Sequence, residues 1–433
     1  MTKKTWIYLL LMAVALAAVA LVWQTSLSPE LLAFPQAEVG RREAVLLVWD
    51  RSVPESRRQL QIQPAVNYEA NWSADGTEVT LSPIDAWEWA TEYSLSLNGD
   101  ELVCFATQPV PTVTLFAAGD VMLDKLPGEN IARHGPESVF TGMGDLVTSA
   151  DISFVNLEGP VSHRGAAVAN KRYTFCGKPE ALEALQLAGI DVVSFANNHA
   201  LDYGEEAFLD TLQHLSEYGI AYAGAGRNQE EALRPWIAEV DGLRVAFLAF
   251  GQRDFLPGWA QTAWVAGEDK PGLAMHDVPG WRSLMFEAIG TASEQAELVI
   301  VSLHWGYERH TEPFAWQRDL GKQIIDAGAD AIIGHHPHLP YGVEIYKGSP
   351  IIYSLGNFLF HPYNVAQRES YVATLSLGLD GVTGLELTPI LMDQGKTSIL
   401  SGPAAEGILN TIATRSARLG THLQREGDRL VWR

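Results

Sequence analysis

Six apolar segments between residues 113 and 357 constrain the fold of this chain most, because each ends directly in a polar side chain able to bind a metal ion or transfer a proton. Helical segments such as residues 178–188, 204–218 and 316–327 lie between them. Buried strands that alternate with helices predict an α/β fold, in which the strand ends line one edge of a sheet where ligands bind. We therefore expect these polar side chains to converge on one site. They are Asp120; Asn156 and Glu158; Asn197, Asn198 and His199; His304; His335, His336 and His338; and Asn357.

The donor groups in these segments are carboxylates, amides and imidazoles. Only two cysteines, Cys104 and Cys176, occur in the sequence, which excludes a thiolate zinc site and a disulfide-stapled scaffold. Oxygen and imidazole ligands suit Mn²⁺, Fe²⁺ or Zn²⁺. Because the set holds more donors than the roughly four that one zinc ion needs, we expect two ions about 3.5–4 Å apart, bridged by the carboxylate of Glu158.

Three histidines compete for the ligand positions in the segment His335-His-Pro-His338. Proline between two imidazoles stiffens the loop and directs both to one side. This favours His336 and His338 as the ligands, although the sequence leaves the choice open. Taken alone, Asp120 could cap a helix and His199 could be a core histidine in a turn. The coincidence of six strand ends favours a functional site over these structural alternatives.

Six motifs follow one another along the chain: Gly119-Asp-Val-Met-Leu123, Asn156-Leu-Glu-Gly-Pro160, Ser194-Phe-Ala-Asn-Asn-His-Ala-Leu-Asp-Tyr-Gly204, His304-Trp-Gly306, Gly334-His-His-Pro-His338 and Tyr353-Ser-Leu-Gly-Asn-Phe358. In this order they resemble the motifs of the CapA family of poly-γ-glutamate capsule biosynthesis proteins, which are relatives of the calcineurin-like metallophosphoesterases. The resemblance covers about residues 113–365. It implies a metallophosphoesterase-like four-layer αββα sandwich, a divalent metal centre and a membrane anchor.

The resemblance also implies a role for each site residue. His199 would face the scissile group as a general acid or electrostatic stabiliser. Asp120 would take part in catalysis as well as in metal binding. The metal ligands that the resemblance implies are Asp120 and His338 at one ion, Asn198, His304 and His336 at the other, and Glu158 between the two.

One position departs from the metallophosphoesterase pattern. Metallophosphoesterases usually carry a histidine two residues after the first aspartate, and this chain has Met122 there. A thioether is a poor ligand for a hard ion. Asp124 could take its place; otherwise the centre would hold a single ion or bind the first ion weakly.

A second domain is predicted before the motifs. Residues 37–107 consist of short runs of alternating apolar and polar residues separated by turns, which predict a small antiparallel β-sandwich. The rhythm of this stretch resembles a bacterial immunoglobulin-like (Ig-like) module. The proline-containing stretch 108–112 would link it to a catalytic domain at residues 113–370. Residues 371–433 return to strands and end in a helix, and we expect them to pack on the catalytic domain.

Residues 1–27 predict an N-terminal membrane anchor. Lys3 and Lys4 precede the uncharged segment 5–23, which as a helix would be about 28 Å long, close to the hydrocarbon thickness of a bilayer. Lysines before the span favour a cytoplasmic N-terminus, so the protein would sit in the cell membrane as a single-pass protein whose bulk is extracytoplasmic. The alternative is a secreted protein with a cleaved signal peptide, because Ala18-Val-Ala20 offers the small residues that a signal peptidase accepts.

Charge limits the choice of partners. Fifty-two acidic and thirty basic residues leave a net charge of −22, which repels phosphate backbones and excludes broad nucleic-acid binding. A local cationic pair, Lys171-Arg172, could bind an anionic substrate together with Asn357. The alternative is that the pair consists of solvated loop charges.

Two functions agree with the sequence. The first is a membrane-tethered hydrolase that acts on an ester or amide of an anionic cell-surface molecule, either a polymer or a phosphoester. The second is a non-catalytic, metal-containing partner of a membrane complex for polyglutamate synthesis and export.

Overall fold

The computed structural model describes residues 29–35, 37–253, 256, 258, 260–362 and 364–433. The chain divides into two compact units between Val110 and Pro111, inside the stretch for which a linker is predicted. Within the described residues, no helix combines the length and the apolar composition needed to cross a membrane. The anchor predicted at residues 1–27 lies outside these residues.

The first unit is an all-β structure of two antiparallel sheets. Its strands are β1 Leu31–Ala33, β2 Val45–Trp49, β3 Leu60–Gln63, β4 Tyr68–Trp72, β5 Glu78–Pro83, β6 Glu92–Leu97 and β7 Asp100–Ala106. The strand orders are β1-β2-β5-β4 and β3-β6-β7. Alternate residues of β2, namely Val45, Leu47 and Trp49, are buried, as expected for a strand with one solvated face. The two sheets share one apolar core, in which the rings of Tyr93 and Phe105 stack with their centroids 5.3 Å apart.

The second unit is built on two large sheets with helices, so the predicted α/β class is confirmed. Its strands are β8 Val113–Val121, β9 Ile152–Leu157, β10 Val192–Ser194, β11 Ala221–Ala223, β12 Ala225–Gly226, β13 Trp236–Val240, β14 Leu243–Gly251, β15 Gly272–Leu273, β16 Leu298–His304, β17 Ala331–His335, β18 Val343–Tyr346, β19 Ser349–Ile352, β20 Asn357–Leu359, β21 Glu369–Gly378, β22 Gly381–Asp393, β23 Lys396–Ile399, β24 Gln424–Glu426 and β25 Arg429–Trp432. Its α-helices are α1 Lys125–His134, α2 Leu182–Ala188, α3 Gly204–Glu217, α4 Gln229–Leu233, α5 Ala260–Ala263, α6 Trp281–Gln295, α7 Ala315–Asp326 and α8 Pro403–Arg418.

Sixteen strands of this unit form a ten-stranded and a six-stranded sheet, which pack face to face, and β12 and β15 form a separate two-stranded sheet. The first has the order β11-β10-β9-β8-β21-β22-β25-β24, with β20 beside β8 and β23 beside β22; the second has the order β13-β14-β16-β17-β19-β18. Leu115 and Phe154 of the first sheet share a core with Phe247 of the second. Helix α3 packs against β11 of the first sheet, and α6 and α7 pack against β14, β16 and β17 of the second. The layers therefore run helix, sheet, sheet, helix.

Parallel pairing brings the strand-end residues together. β8 pairs in parallel with β9 and β20, in a register that sets Asp120 beside both Asn156 and Asn357. β16 pairs in parallel with β17, which sets His304 beside His335. Because these residues lie at the carboxyl-end edges of the two sheets, the edges form one site between them, as is general for α/β folds.

Residues 371–433 continue the ten-stranded sheet. β21 pairs antiparallel with β8, with Ala373 opposite Ala117, so the boundary predicted after residue 370 falls inside a strand. Helix α8 contacts β18, β22 and β25. The C-terminal segment is therefore part of the sheet that carries Asp120, rather than a layer added to a complete domain.

Candidate metal centre

Three buried side chains, those of Asp120, Glu158 and His338, bring ligand atoms within 4.8 Å of one another. His338 Nδ1 lies 3.2 Å from Asp120 Oδ2, and His338 Nε2 lies 3.6 Å from Glu158 Oε1. Both carboxylate oxygens of Glu158 are buried without a hydrogen-bond partner among the described residues. Such a carboxylate is strongly disfavoured unless a cation or a proton neutralises it. The donor set therefore fits a divalent ion.

A second cluster gathers one amide and two imidazoles. His304 Nε2 lies 2.7 Å from Asn198 Oδ1 and 3.1 Å from His336 Nδ1. All three side chains are buried. The resemblance implies that these residues bind the second ion, and the structure brings their donor atoms together. Which ion each of them holds stays a prediction.

Asn156 joins the two clusters. Its Nδ2 donates a hydrogen bond of 2.8 Å to Asp120 Oδ1 and lies 3.3 Å from His304 Nδ1. Its Oδ1 accepts from the Asn197 amide at 3.2 Å. A side chain that touches one ligand of each cluster fixes their relative orientation, which is the usual task of residues behind a metal site.

The His336-Pro-His338 loop has an unusual backbone. The φ angles of His336 and His338 are 94° and 56°, in the left-handed region that side chains other than glycine rarely adopt. Backbone strain of this kind persists where the surrounding structure enforces it, often at functional sites. The result is two imidazole rings with centroids 6.0 Å apart. His335 instead lies against Phe154, with its Nδ1 3.3 Å from Asp120 Oδ1.

Close contact between strand ends leaves no room for a side chain at Gly119. A Cβ there would lie 1.9 Å from the carbonyl oxygen of Gly356. Asp120 follows Gly119 in β8, and Asn357 follows Gly356 as the first residue of β20. Asn357 Oδ1 lies 2.8 Å from His338 Nδ1. The Asn357 Nδ2 donates to the carbonyl of Gln367 at 3.1 Å. Asn357, predicted to contact substrate, thus has both ends of its amide engaged, and it orients His338.

Neither Met122 nor Asp124 contributes a donor atom to the group. Met122 packs in an apolar cluster with Phe175 and Phe360. Asp124 caps α1, because its Oδ1 accepts from the backbone N–H of Lys125 at 2.7 Å and its Oδ2 accepts from Cys176 N at 3.2 Å. Asp124, which could take the place of the missing histidine, therefore accepts backbone hydrogen bonds with both oxygens and lies outside the group of Asp120, Glu158 and His338; its role as a ligand stays a prediction.

His199 lies beside the carboxylate of Glu158. Its Nε2 is 3.7 Å from Glu158 Oε1, and its Nδ1 is 2.6 Å from Asp202 Oδ2. The ring stacks on Phe175 with the centroids 4.2 Å apart. Burial lowers the pKa of His199 well below its usual range. One nitrogen of a neutral imidazole therefore faces the candidate metal group while a carboxylate holds the other.

The two residues of the cationic pair have different environments. The Lys171 side chain is only 8% exposed and its Nζ pairs with Asp202, so the solvated-charge alternative is wrong for Lys171. Arg172 is exposed, and its guanidinium lies 5.0 Å from the ring centroid of Tyr173. Burial raises the pKa of Asp202 to about 7, although the neighbouring Lys171 acts in the opposite direction.

Burial and neighbouring opposite charges shift the pKa values in the group formed by Asp120, Glu158 and His338. Burial raises the pKa of Glu158 well above its usual range. Burial alone would lower the pKa of His338, but the carboxylates of Glu158 and Asp120 raise it to about 10. A proton on His338 partly neutralises the two carboxylates, and a divalent ion would replace that proton, because ligands must be deprotonated to bind.

A pocket opens onto this group. Two of the residues around it, His199 and His338, were predicted from the sequence, whereas its aromatic walls and the neighbouring Asp202 were not. Asp202 follows His199 by three residues, a spacing that could have drawn attention to it, whereas Phe175 and Phe360 carried no signal. The residues that line the pocket are Tyr173, Phe175, His199, Glu308, Arg309, His338 and Phe360.

Comparisons with known proteins agree with the motifs. The family described as "Bacterial capsule synthesis protein PGA_cap" matches residues 114–362. The chain is 30% identical over 329 residues to the capsule biosynthesis protein CapA of Bacillus anthracis, covering 73% of this chain and 77% of that protein. It is 30% identical over 274 residues to the PGA biosynthesis protein CapA of Bacillus subtilis (strain 168), covering 63% and 70%. The family match spans more than half of the chain and includes every candidate ligand from Asp120 to His338.

A solved structure has a limited similarity to the chain. A hypothetical protein from Thermus thermophilus has 17% sequence identity and a TM-score of 0.36, covering 66% of this chain and 98% of that one. A similarity of this size does not bear on function.

Proposed function

The chain belongs to the bacterial capsule synthesis protein family PGA_cap, and on this premise we propose that it is a metal-dependent hydrolase of the metallophosphoesterase type. Its substrate would be an ester or amide of an anionic cell-surface molecule. The observation that carries the proposal is the buried Glu158 carboxylate, which has no hydrogen-bond partner among the described residues and lies between His338 and His199.

The centre would hold two divalent ions, Mn²⁺, Fe²⁺ or Zn²⁺. One ion would take the ligands Asp120 and His338, the other would take Asn198, His304 and His336, and Glu158 would bridge them. Bound ions of this kind polarise a phosphoryl or carbonyl oxygen and promote attack by water. The distances of 2.7 and 3.1 Å within the second cluster, and of 3.6 Å between His338 Nε2 and Glu158 Oε1, support the two ligand groups, and the bridging role of Glu158 rests on the resemblance.

The protein's own groups would supply orientation and proton transfer. His199 would first accept a proton at Nε2, which faces Glu158, and then donate it as a general acid, because Asp202 holds the proton on Nδ1 of the neutral ring. Phe175 and Phe360 would exclude water from one side of the pocket. Arg309 and Arg172, one lining the pocket and the other next to a lining residue, would attract an anionic substrate to a chain that is acidic overall.

The same proposal extends to fold and location. The helix–sheet–sheet–helix layers of the second unit agree with a metallophosphoesterase-like sandwich. The two-sheet first unit would be an Ig-like spacer. Residues 1–27 would anchor the chain in the cell membrane with its bulk outside, or be cleaved as a signal peptide, because of their long apolar run.

A second candidate is a metal-containing partner of a polymer synthesis and export complex, without turnover of its own. The relatives' names favour it, since both refer to biosynthesis rather than to hydrolysis. Polyglutamate contains carboxylates and amides but no phosphoester, and carboxylate oxygens are also ligands for hard ions.

The proposal is tested by metal content and turnover of the full chain. We expect the purified protein to bind one to two equivalents of Mn²⁺ or Zn²⁺ and to hydrolyse a phosphodiester or a γ-glutamyl substrate. Glu158→Ala and His336→Ala should lose metal and activity. His163→Ala and Glu180→Ala are matched controls, because these residues form an exposed pair with 2.9 Å between His163 Nε2 and Glu180 Oε1. Metal-loaded protein that is inert on every substrate would overturn the hydrolase and favour the partner role.

A further inference from the structure

Asp202 is a completely buried carboxylate that joins several parts of the site. Its Oδ1 pairs with Lys171 Nζ, and its Oδ2 accepts from His199 Nδ1 at 2.6 Å and from the backbone N–H of Phe175 at 2.8 Å. Its backbone carbonyl accepts from Val168 N at 2.9 Å. A single residue therefore connects the His199 ring to the loop of residues 162–174.

The side chain of Lys171 forms an ion pair with Asp202 inside the site. Its Nζ also donates to the backbone carbonyl of Asn198 and lies 3.1 Å from His199 Nδ1. The ring of Trp264 covers the ammonium, with its centroid 5.2 Å away. Lys171 is not among the described residues that line the pocket beside the metal group, so its charge faces the protein rather than a ligand.

We propose that Lys171 is a positioning residue, which by pairing with Asp202 and the Asn198 carbonyl fixes the His199 ring with its Nε2 toward Glu158. The inference rests on the proposed function, in which His199 moves a proton. A buried carboxylate requires a charged or hydrogen-bonding partner, and removing one member of a buried pair leaves the other uncompensated. Since the hydrogen bond at one imidazole nitrogen sets the state and direction of the other, the pair controls the nitrogen that faces the metal group.

The pairing also explains why an exposed loop ends inside the site. Residues 163–167 of the loop are exposed, whereas the Lys171 side chain is buried and the ring of Phe175 stacks on His199. The loop carries Tyr173, which lines the pocket. Lys171 therefore holds the loop that carries Tyr173 against Asp202, the same carboxylate that orients His199. The position of this pocket wall and the orientation of the His199 ring thus depend on one ion pair.

The first test does not depend on activity. The full chain is labelled with ¹⁵N-histidine, and the two ring signals of His199 are assigned by their loss in His199→Gln. We expect Lys171→Met to shift both signals, Lys171→Arg to restore them in part, and Arg164→Met to leave them unchanged. Arg164 is a cation of the same loop whose side chain is 62% exposed. Unchanged His199 signals in Lys171→Met, in a variant of wild-type thermal stability, would overturn the proposal.

The second test separates positioning from substrate contact. With bis(4-nitrophenyl) phosphate as the probe and Mn²⁺ as the metal, Lys171→Met should lower kcat by about 10²-fold, the lower end of the loss expected for proton transfer, and leave KM within about twofold. In the His199→Gln background the same substitution should lower kcat no further, because both changes remove one function. An equal fall in both backgrounds, or a change in KM alone, would mean that Lys171 acts on the substrate.

The two tests also distinguish a failure of the proposed hydrolase activity from a failure of the positioning role of Lys171. Wild-type protein that is loaded with metal and inert on the probe would overturn the proposed hydrolase. The histidine signals would still decide whether Lys171 positions His199.

Discussion

At the scale of single residues, Glu158 is held in surroundings that disfavour its own charge. Its carboxylate is buried, and its pKa is raised by that burial more than the neighbouring His338 lowers it. The buried carboxylate therefore destabilises the folded protein unless a bound cation neutralises it. Such a residue is a sensitive reporter of metal binding.

We expect Glu158→Gln to stabilise the protein in EDTA and to destabilise it relative to wild type in Mn²⁺. The amide removes a buried charge, so the variant's Tm in EDTA should exceed that of wild type by about 3 °C or more. Addition of Mn²⁺ should raise the Tm of wild type and have little effect on the variant, because the bridging oxygen is lost. Glu180→Gln is the control, and equal responses of wild type and Glu158→Gln to Mn²⁺ would contradict the role of Glu158.

Asp124 is a residue whose substitution should lower stability without changing metal binding. Because its Oδ1 caps α1, Asp124→Ala should lower the free energy of unfolding by about 0.5–2 kcal/mol, as measured by urea denaturation. Its metal content should equal that of wild type, since both of its oxygens are bound to backbone N–H groups. A loss of metal in this variant would restore Asp124 as a ligand.

The residues that follow apolar runs could be found from the sequence, because a polar side chain at a strand end has a known position relative to the sheet. Asp120, Glu158 and His304 are of this kind. The roles of Lys171 and Asp202 could not be predicted, since each depends on a contact between a loop and a turn distant in sequence. Loops lack the residue periodicity of helices and strands, so the sequence does not indicate whether the Lys171 side chain points into the protein or into solvent.

At the scale of elements, the site depends on the close approach of β8 to the segment before β20, which leaves no room for a side chain at Gly119. Gly119→Ala places a methyl group 1.9 Å from the Gly356 carbonyl oxygen, so β8 and the segment before β20 must separate. We expect a loss of about 1–3 kcal/mol in the free energy of unfolding and weaker Mn²⁺ binding, since Asp120 moves with the strand. Urea titration and calorimetry measure the two effects.

Gly290 provides the matched control for this substitution. It lies within α6, and a Cβ there would have no neighbour within 4 Å. Gly290→Ala should therefore stabilise the protein by about 0.5–1 kcal/mol and leave Mn²⁺ binding unchanged. If both alanine variants behave alike, the close approach at Gly119 has no energetic role.

Asp330, the residue just before β17, makes the stability of the folded protein depend on pH. Burial raises its pKa from 3.8 to about 6, although its carboxylate accepts a hydrogen bond from Val299 N. The folded state thus binds the proton more tightly than the unfolded state, and stability falls as the pH rises from about 4 to about 6. Asp330→Asn should be more stable than wild type by up to about 3 kcal/mol at pH 7–8 and equal to it below pH 4.

Asp326 is the control for that experiment. It is an exposed carboxylate paired with Lys347, which by hydrogen bonding lowers the pKa of Asp326. Asp326→Asn should not stabilise the protein at any pH. A gain in Asp330→Asn that does not depend on pH would show that packing, rather than charge, is responsible.

At the scale of the whole molecule, the division between Val110 and Pro111 predicts two independent unfolding transitions. In calorimetry of the full chain, each transition should match that of the corresponding fragment, and residues 111–433 alone should keep their Tm within about 2 °C and their metal content. A fragment that unfolds much earlier would show that the first unit stabilises the second.

The architecture of the second unit was largely predictable, because alternation of apolar strands and helices selects a layered α/β fold. The position of residues 371–433 was not. Their strands alternate like any antiparallel edge, and nothing in the sequence says that β21 pairs with β8 rather than with a later strand. Pairing partners distant along the chain are chosen by the shape of the whole core.

The pairing of β21 with β8 also sets an order of events during synthesis. β8, with Asp120, leaves the ribosome early, whereas its neighbour β21 begins only at Glu369. Until then the nascent sheet has an open hydrogen-bonding edge, which is prone to aggregate unless a chaperone shields it. A product terminated before Glu369 would contain every candidate ligand through His338 and yet lack the strand that pairs with residues 113–117 of β8, the strand that carries Asp120, so we expect loading with metal to await the last part of the chain.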